Sequence, residues 1–288
     1  MNSTWQRFAT WVCAAAALYA LVYVFDLDDL SIPRRPLPPS EGAWIKSEPG
    51  TAPTGKPTDQ VSFQFNVTSD HTLGDDVTGT AFSVSPEVWV TAAHVVDDCK
   101  TAYVRVYGRW RRMQSFAEHP DADVAILKSG AGDPPPPLGI TDRLPVLDQD
   151  GFHIGFPNAK PSSVRSKFIG LARLSRNKVR RTPEMGWVWA EMERTPPTTG
   201  SLGGISGGPQ VDRTGAVQGV TVAHASRTGR IITTPVSRVR EVVPEAVPHV
   251  TVGEADITGD NYGLEGDHAR AAGSVALVYC SASGTTRP

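Results

Sequence analysis

The sequence has 288 residues, a length that suits one or two domains, and 40% of them are apolar, which is enough for a sizeable core. Its formal net charge of −2 gives no electrostatic reason to expect nucleic acid as a partner. Neither a CxxC pair nor an HExxH motif occurs, so we expect no metal site.

The chain begins with an apolar segment. Phe8 to Phe25 is a run of 18 residues without a charge, near the lower limit for an α-helix that spans a bilayer. No clear small-residue cleavage site follows it, which favours a retained signal-anchor in residues 1–25 over a cleaved signal peptide. Arg7 before the run, and Arg34 and Arg35 after it, leave its orientation open. A buried core helix and a cleaved signal that releases a soluble secreted protein are the alternatives.

Residues 26–59 are predicted to be a linker. They contain seven prolines among Ser, Gly and Thr residues. Such a composition favours extended, polyproline-like chain over packed structure. A linker of this kind would hold a globular domain away from a membrane surface.

From about Val61 the sequence changes to short β-like runs separated by turns. Many short strands with Gly and Pro turns are typical of an all-β barrel or sandwich, which we place at residues 60–247. Asp133–Pro137 (DPPPP) is predicted to be a stiff connector between two barrel halves, and Val236–Val243 to be a short closing helix. The predicted strands are Val61–Val67, Thr80–Val84, Val88–Thr91, Ala102–Tyr107, Val124–Lys128, Phe152–Gly155, Ser166–Leu174, Trp187–Glu193, Gly208–Val211, Val217–Ala223 and Ile231–Pro235.

Residues 248–288 are predicted to be a turn-rich, weakly apolar tail. Within it, Ser274–Cys280 (SVALVYC) is either a late strand docked on the barrel or only an apolar stretch. Cys99 and Cys280 are able to form one disulfide if the domain is extracytoplasmic. Two unpaired thiols are an equal alternative, because the sequence does not give the distance between them.

The glycine-rich segment Gly204–Pro209 (GISGGP) carries a candidate nucleophile, Ser206. A serine hydroxyl is a weak nucleophile at neutral pH and needs a base within hydrogen-bonding distance. Gly204 allows a sharp turn that presents its N–H beside that of Ser206, and two such N–H groups form an oxyanion hole. Taken alone, the segment leaves open a glycine-rich turn with an incidental serine.

Two further segments supply a candidate base and a candidate carboxylate. His94 follows the apolar strand Val88–Val90 and two alanines, and an imidazole takes up and releases a proton near neutral pH. Asp123 opens the apolar run Val124–Leu127 and would fix the tautomer of the imidazole through its Nδ1–H. Asp121 is the rival, and we favour Asp123 because it directly precedes the apolar run. Taken singly, each residue has a plainer alternative: a structural histidine at the end of a strand for His94, and a solvated aspartate capping a strand for Asp123 and Asp121.

Together, TAAH ending at His94, DVAIL beginning at Asp123 and GISGGP around Ser206 resemble the three signature blocks of trypsin-like serine peptidases. The chain order His, Asp, Ser is that of the chymotrypsin-like barrels among unrelated folds with this geometry. The resemblance covers about residues 61–243. It implies a double six-stranded β-barrel with the active site in the cleft between the barrels.

The resemblance is closest to the bacterial HtrA/Deg-type protease domains. Gly79–Phe82 (GTAF) resembles their strand before the histidine block, and Gly215–Val220 resembles the hairpin after the nucleophile. Ile205 stands where digestive trypsins have an aspartate, so activation by zymogen cleavage is not expected. No PDZ-sized segment follows the predicted barrel within these residues.

By position in the family pattern, the floor of the substrate pocket falls near Gly200, with no aspartate nearby. A basic substrate side chain would therefore meet no counter-charge. Val222 and Ala223 indicate an apolar wall that suits a small or aliphatic side chain. His224 stands where the family usually has a small residue and is expected to narrow the pocket.

We therefore expect a serine endopeptidase of the cell envelope, anchored in the membrane with an extracytoplasmic (periplasmic or cell-surface) domain. Ser206 attacks the scissile carbonyl of a protein or peptide substrate, His94 acts as base and then acid, and Asp123 orients His94. The N–H groups of Gly204 and Ser206 hold the oxyanion, and no cofactor is needed. The other functional class is a catalytically silent trypsin-like barrel that binds peptides or proteins. The sequence sets no oligomeric state.

Overall fold

Short β-strands joined by turns form almost all of the regular structure. The protein is described by a computed structural model that covers residues 61–67, 75–130, 132–176, 184–242, 255–284 and 288. All of these residues belong to one compact unit, Thr51–Pro288. The described elements are β1 (Val61–Val67), β2 (Val77–Ser85), β3 (Val88–Thr91), α1 (Ala93–Val96), β4 (Thr101–Val106), β5 (Arg109–Arg112), β6 (Ser115–Glu118), β7 (Ala125–Lys128), β8 (Asp150–Gly155), a 3₁₀ turn (Pro157–Ala159), β9 (Ser162–Arg176), β10 (Glu184–Thr195), β11 (Pro209–Val211), β12 (Val217–Ala225), β13 (Arg230–Pro235), α2 (Val236–Val242), α3 (Tyr262–Ala271) and β14 (Val275–Ser281).

The second half of the domain is a closed barrel of six strands in the order β8-β9-β10-β13-β12-β11, with β11 and β9 each paired to β8. Closure removes free strand edges and leaves alternate side chains to fill the interior. Phe168, Trp189 and Ile231 are among the buried residues that do so. Strand β1 lies outside this ring and pairs in parallel with β9.

The first half is a seven-stranded sheet in the order β5-β4-β14-β2-β3-β7-β6. Phe82, Trp89 and Leu127 are fully buried in its core. The predicted double six-stranded barrel is therefore corrected: within the described residues, the domain is an all-β double barrel made of one closed six-stranded barrel and one half-barrel.

The first half also contains strand β14, which comes from the predicted C-terminal tail and brings its strand number to seven. It lies between β2 and β4, and Leu277 pairs with Thr80 on one side and with Arg105 on the other. All but one of its residues are buried, and a near-continuous apolar run is typical of a strand covered on both faces. The run Ser274–Cys280 is thus an internal strand of the half-barrel.

A disulfide joins Cys99 to Cys280 across 181 residues of sequence. Their Cα atoms are 5.5 Å apart, within the normal range for such a bond. Cys99 follows α1 and Cys280 lies in β14. The bond therefore ties the inserted strand to the loop that follows the candidate histidine.

The predicted signal-anchor in residues 1–25 and the predicted linker in residues 26–59 lie outside the described residues. In the part of the chain that the structure describes, no helix is both long and apolar enough to cross a bilayer.

Candidate active site

Strand pairing brings the candidate histidine and aspartate to one end of the half-barrel. β3 and β7 are antiparallel neighbours, and Thr91 at the end of β3 pairs with Ala125 at the start of β7. The chain that leaves β3 towards His94 and the chain that enters β7 from Asp123 therefore emerge side by side.

The Asp123 carboxylate accepts two hydrogen bonds from His94. One comes from the imidazole Nδ1, 2.7 Å from Oδ2, and the other from the backbone N–H, 3.0 Å from Oδ1. Because a carboxylate only accepts, Nδ1 carries a proton, and in the neutral imidazole Nε2 is then the acceptor nitrogen. The Asp123 side chain is 1% exposed and that of His94 is 19% exposed. Asp121 is exposed and instead donates its N–H to His119.

Glu184 supports Asp123 from the closed barrel. Its Oε2 accepts the Asp123 N–H at 3.0 Å, and its Oε1 accepts the hydroxyl of Thr234 at 2.5 Å. Glu184 is itself buried. Sequence reasoning missed this residue, since no local feature of the sequence marks a glutamate at the start of a strand as buried.

His119 holds the turn that leads into Asp123. Its Nδ1 accepts the backbone N–H groups of Asp121 and Ala122, each at 3.0 Å, so its proton is on Nε2, which donates to Glu241 on α2 at 2.8 Å. This hydrogen bond from His119, together with the charge of Arg238, lowers the pKa of the exposed Glu241 carboxyl against the opposing effect of partial burial. His119 thus connects the turn before Asp123 to helix α2.

Ser206 lies in the tight turn before β11 and packs on the segment that leads to His94. Its carbonyl oxygen accepts the Thr80 N–H at 2.8 Å. The next residue, Gly207, has a φ of +87°, and a Cβ there would lie 2.1 Å from the Thr80 oxygen and 2.8 Å from the Ala92 nitrogen. Only glycine fits such a close approach. The contact seats the serine turn directly against the two residues before α1.

The carbonyl groups along this turn are fixed by hydrogen bonds, among them those of Gly203, Gly204 and Ile205. Asn158 N–H donates to Gly203 O at 2.6 Å, Thr80 Oγ1–H to Gly204 O at 2.8 Å, and Gly208 N–H to Ile205 O at 2.9 Å. A trans peptide is planar, so each fixed carbonyl also directs the next N–H the opposite way. Within the described residues, neither the Gly204 N–H nor the Ser206 N–H donates a hydrogen bond. Two oriented N–H donors remain available, the requirement for an oxyanion hole.

Strand β12 fixes the exit of the serine turn. Thr221 O accepts the Gly207 N–H at 2.7 Å, and the Thr221 N–H donates to Gly208 O at 2.8 Å. The Thr221 hydroxyl lies 3.1 Å from Nδ1 of His153. Burial lowers the pKa of His153 to about 3. His153 is therefore neutral at physiological pH and supports the turn as a hydrogen-bonding side chain.

The segment around Gly200, predicted as the pocket floor, is held by a cluster of polar and charged side chains. Arg194 donates to Gly200 O at 3.0 Å and also pairs with Glu191. His224 Nε2 lies 2.9 Å from Glu191, and its Nδ1 accepts the Leu202 N–H at 3.3 Å. Burial raises the pKa of Glu191, but the hydrogen bonds from His224 and Arg194 outweigh it and lower that pKa to about 2. The His224 side chain is 4% exposed and is in contact with both Glu191 and the Leu202 N–H.

One junction of the two barrels thus holds an imidazole paired with a carboxylate, a serine turn and two available N–H donors. This is the combination that acyl transfer through an activated hydroxyl requires. No group of His, Cys, Asp and Glu within the described ranges is arranged to hold a metal ion.

The sequence matches a known family model, and the fold is similar to those of solved structures. The family model of the trypsin-like peptidase domain matches residues 79–220. The active form of the Rv3671c protease from M. tuberculosis is 20% identical, with a TM-score of 0.52 over 70% of this chain and 99% of that chain. At this identity, the likeness bears on the fold alone.

Two further solved structures are similar. The inactive form of the Rv3671c protease is 23% identical, with a TM-score of 0.49 over 58% of this chain and 84% of that chain. The HtrA-type protease AlgW with a decapeptide is 23% identical, with a TM-score of 0.46 over 57% of this chain and 50% of that chain. No curated protein matches the sequence significantly.

Proposed function

We propose that this protein is a serine endopeptidase acting on protein or peptide substrates through His94, Asp123 and Ser206. The match of residues 79–220 to the trypsin-like peptidase domain supports the proposal. The observation that carries the proposal is the 2.7 Å hydrogen bond from His94 Nδ1 to the buried Asp123 carboxylate. This bond favours the tautomer with the proton on Nδ1, the form in which Nε2 is the nitrogen that accepts a proton from a serine hydroxyl.

The proposed reaction has two stages. Ser206 Oγ attacks the scissile carbonyl carbon while its proton passes to His94 Nε2, and the N–H groups of Gly204 and Ser206 hold the resulting oxyanion. His94 then gives the proton to the leaving amine, and the C–N bond of the substrate breaks. The acyl group remains on Ser206 as an ester, the acyl-enzyme. In the second stage, water attacks the ester with His94 again as base, and the carboxylic acid leaves. Asp123 stays a carboxylate throughout and stabilises the imidazolium.

A fluorophosphonate probe tests the proposal, because its phosphorus is attacked only by an activated serine. We expect one covalent adduct per folded molecule, and peptide mapping by mass spectrometry should place it on Ser206. Protein unfolded before the probe is added is the control and should not be labelled. A folded protein that takes up no probe would instead support the silent, peptide-binding barrel, and an adduct on a different serine would refute the assignment of Ser206.

We further propose that the peptidase domain is extracytoplasmic and is held at the membrane by residues 1–25. The apolar run Phe8–Phe25 supports the anchor. The Cys99–Cys280 disulfide supports the compartment, since such bonds persist in oxidising environments.

Removal of residues 1–55 tests the anchor. Every described element lies beyond this cut, so we expect the truncated protein to move from the membrane fraction to the soluble fraction and still react with the fluorophosphonate probe. The full-length chain, fractionated in parallel, is the control. Full-length protein recovered in the soluble fraction with its N-terminus trimmed near residue 25 would show a cleaved signal peptide instead.

A further inference from the structure

The hydroxyl of Thr80 connects the half-barrel to the serine turn of the other half. Thr80 lies on β2 and is fully buried. Its Oγ1 donates to Gly204 O at 2.8 Å and accepts the Phe156 N–H at 3.0 Å. A hydroxyl has one proton to donate and lone pairs to accept with, and this one uses both capacities. Phe156 follows β8 and Gly204 precedes β11, so both partners belong to the closed barrel.

Among the described donors to the Gly203, Gly204 and Ile205 carbonyls, Thr80 is the one that uses its side chain. The other two donors are the backbone N–H groups of Asn158 and Gly208. Phe156 directly precedes the 3₁₀ turn Pro157–Ala159, which contains Asn158. The Thr80 hydroxyl therefore holds one carbonyl directly and supports the segment that holds a second.

The peptide that Thr80 holds is the link between the two N–H donors. The Gly204 N–H belongs to the peptide before it, and the Ser206 N–H belongs to the peptide after it. Rotation of the Gly204–Ile205 peptide would change the angle between the donors. Gly204 has a φ of +97°, and a glycine has no Cβ to restrict such rotation. Inside the turn, the N–H of this peptide, that of Ile205, donates to Leu202 O at 2.9 Å. The Thr80 hydroxyl holds the carbonyl end of the same peptide from outside the turn.

We propose that Thr80 is a positioning residue for the oxyanion hole: its hydroxyl holds the Gly204–Ile205 peptide so that the Gly204 and Ser206 N–H groups converge on one oxygen. The proposal rests on the proposed peptidase function. It also means that the half-barrel, which carries His94 and Asp123, sets the geometry of the donors carried by the other barrel.

The test compares Thr80→Val, which removes the hydroxyl at nearly constant volume, with Thr80→Ser, which keeps it. We expect kcat for peptide hydrolysis to fall about 10- to 100-fold in Thr80→Val, since misplaced oxyanion donors act on the transition state. KM should stay near the wild-type value, and Thr80→Ser should restore kcat. A purely structural role would not separate kcat from KM in this way.

Thr233→Val is the matched control. Thr233 is also fully buried, and its hydroxyl accepts the Trp189 Nε1–H at 3.0 Å. The substitution removes one buried hydroxyl of the same kind without touching the serine turn, so kcat should be unchanged. Equal kcat values for Thr80→Val and wild type, or an equal loss in Thr233→Val, would overturn the proposal. If Thr80→Val does not fold, Thr80→Ala removes the same hydroxyl with less bulk.

A crystal structure of the Thr80 variant gives a readout that does not depend on activity. In Thr80→Val, we expect the Gly204 carbonyl to rotate away from its wild-type position. In Thr80→Ser, we expect it to keep that position. An unmoved carbonyl in the valine variant would contradict the positioning role even if the wild type proved inactive. Absence of hydrolysis and of probe labelling in the wild type would refute the peptidase function, so the two failures are distinguishable.

Discussion

Ser206→Ala should lower kcat for peptide hydrolysis by about 10⁶-fold and abolish fluorophosphonate labelling. The substitution removes the only atom that forms the acyl bond in the proposed reaction. It leaves the backbone contacts of the turn, including the bond from Thr80 N–H to Ser206 O, in place. We therefore expect an unchanged circular dichroism spectrum and melting temperature.

His94→Ala should cost about as much as Ser206→Ala, and the double variant little more, because residues that act as one unit are not additive. Hydrolysis of a casein-like substrate and labelling with the probe provide the measurements. Ser115→Ala, on the exposed face of β6, is the matched serine control and should behave as wild type. Wild-type hydrolysis by Ser206→Ala would show that another group is the nucleophile.

Asp123→Asn should lower kcat by about 10⁴-fold, the scale known for the corresponding change in a Ser-His-Asp triad. An amide nitrogen at this position donates instead of accepting, so His94 would have to present an unprotonated Nδ1 and place its proton on Nε2. That tautomer is unable to take the proton of Ser206.

Asp121→Asn is the matched control for Asp123→Asn. Its side chain is exposed, and the Asp121 backbone N–H that bonds to His119 is unaffected by the change. Steady-state kinetics of the two variants side by side should show a loss in Asp123→Asn alone. A larger loss in Asp121→Asn would assign the orienting role to that residue.

Local patterns predicted most strands and the all-β double barrel, which is confirmed in that coarser form. They missed β5 (Arg109–Arg112), because its charged residues do not alternate with apolar ones. The hairpin forms because Tyr107 and Gly108 both take positive φ values, 49° and 74°, which suits a two-residue turn. Helix α3 was missed as well, since Tyr262–Ala271 contains few apolar residues.

At the candidate site, sequence reasoning selected His94, Asp123 and Ser206, and their catalytic roles stay a prediction. The supporting residues Thr80 and Glu184 were not foreseen in these roles. Each acts through a contact between distant parts of the chain: Thr80 with Gly204, and Glu184 with Asp123. Periodicity and short motifs report neighbours along the sequence, so contacts of this kind leave no mark in them.

The insertion of β14 between β2 and β4 has a consequence for the order of events during synthesis. β2 and β4 leave the ribosome early, yet the strand that joins them is translated only after the whole closed barrel. Contacts between such distant segments form late, because chain entropy must be overcome before they contribute stability. The half-barrel that carries Thr80, His94 and Asp123 is thus completed only when residues near 281 have emerged. A nascent chain is therefore expected to lack peptidase activity until translation of this domain is almost finished.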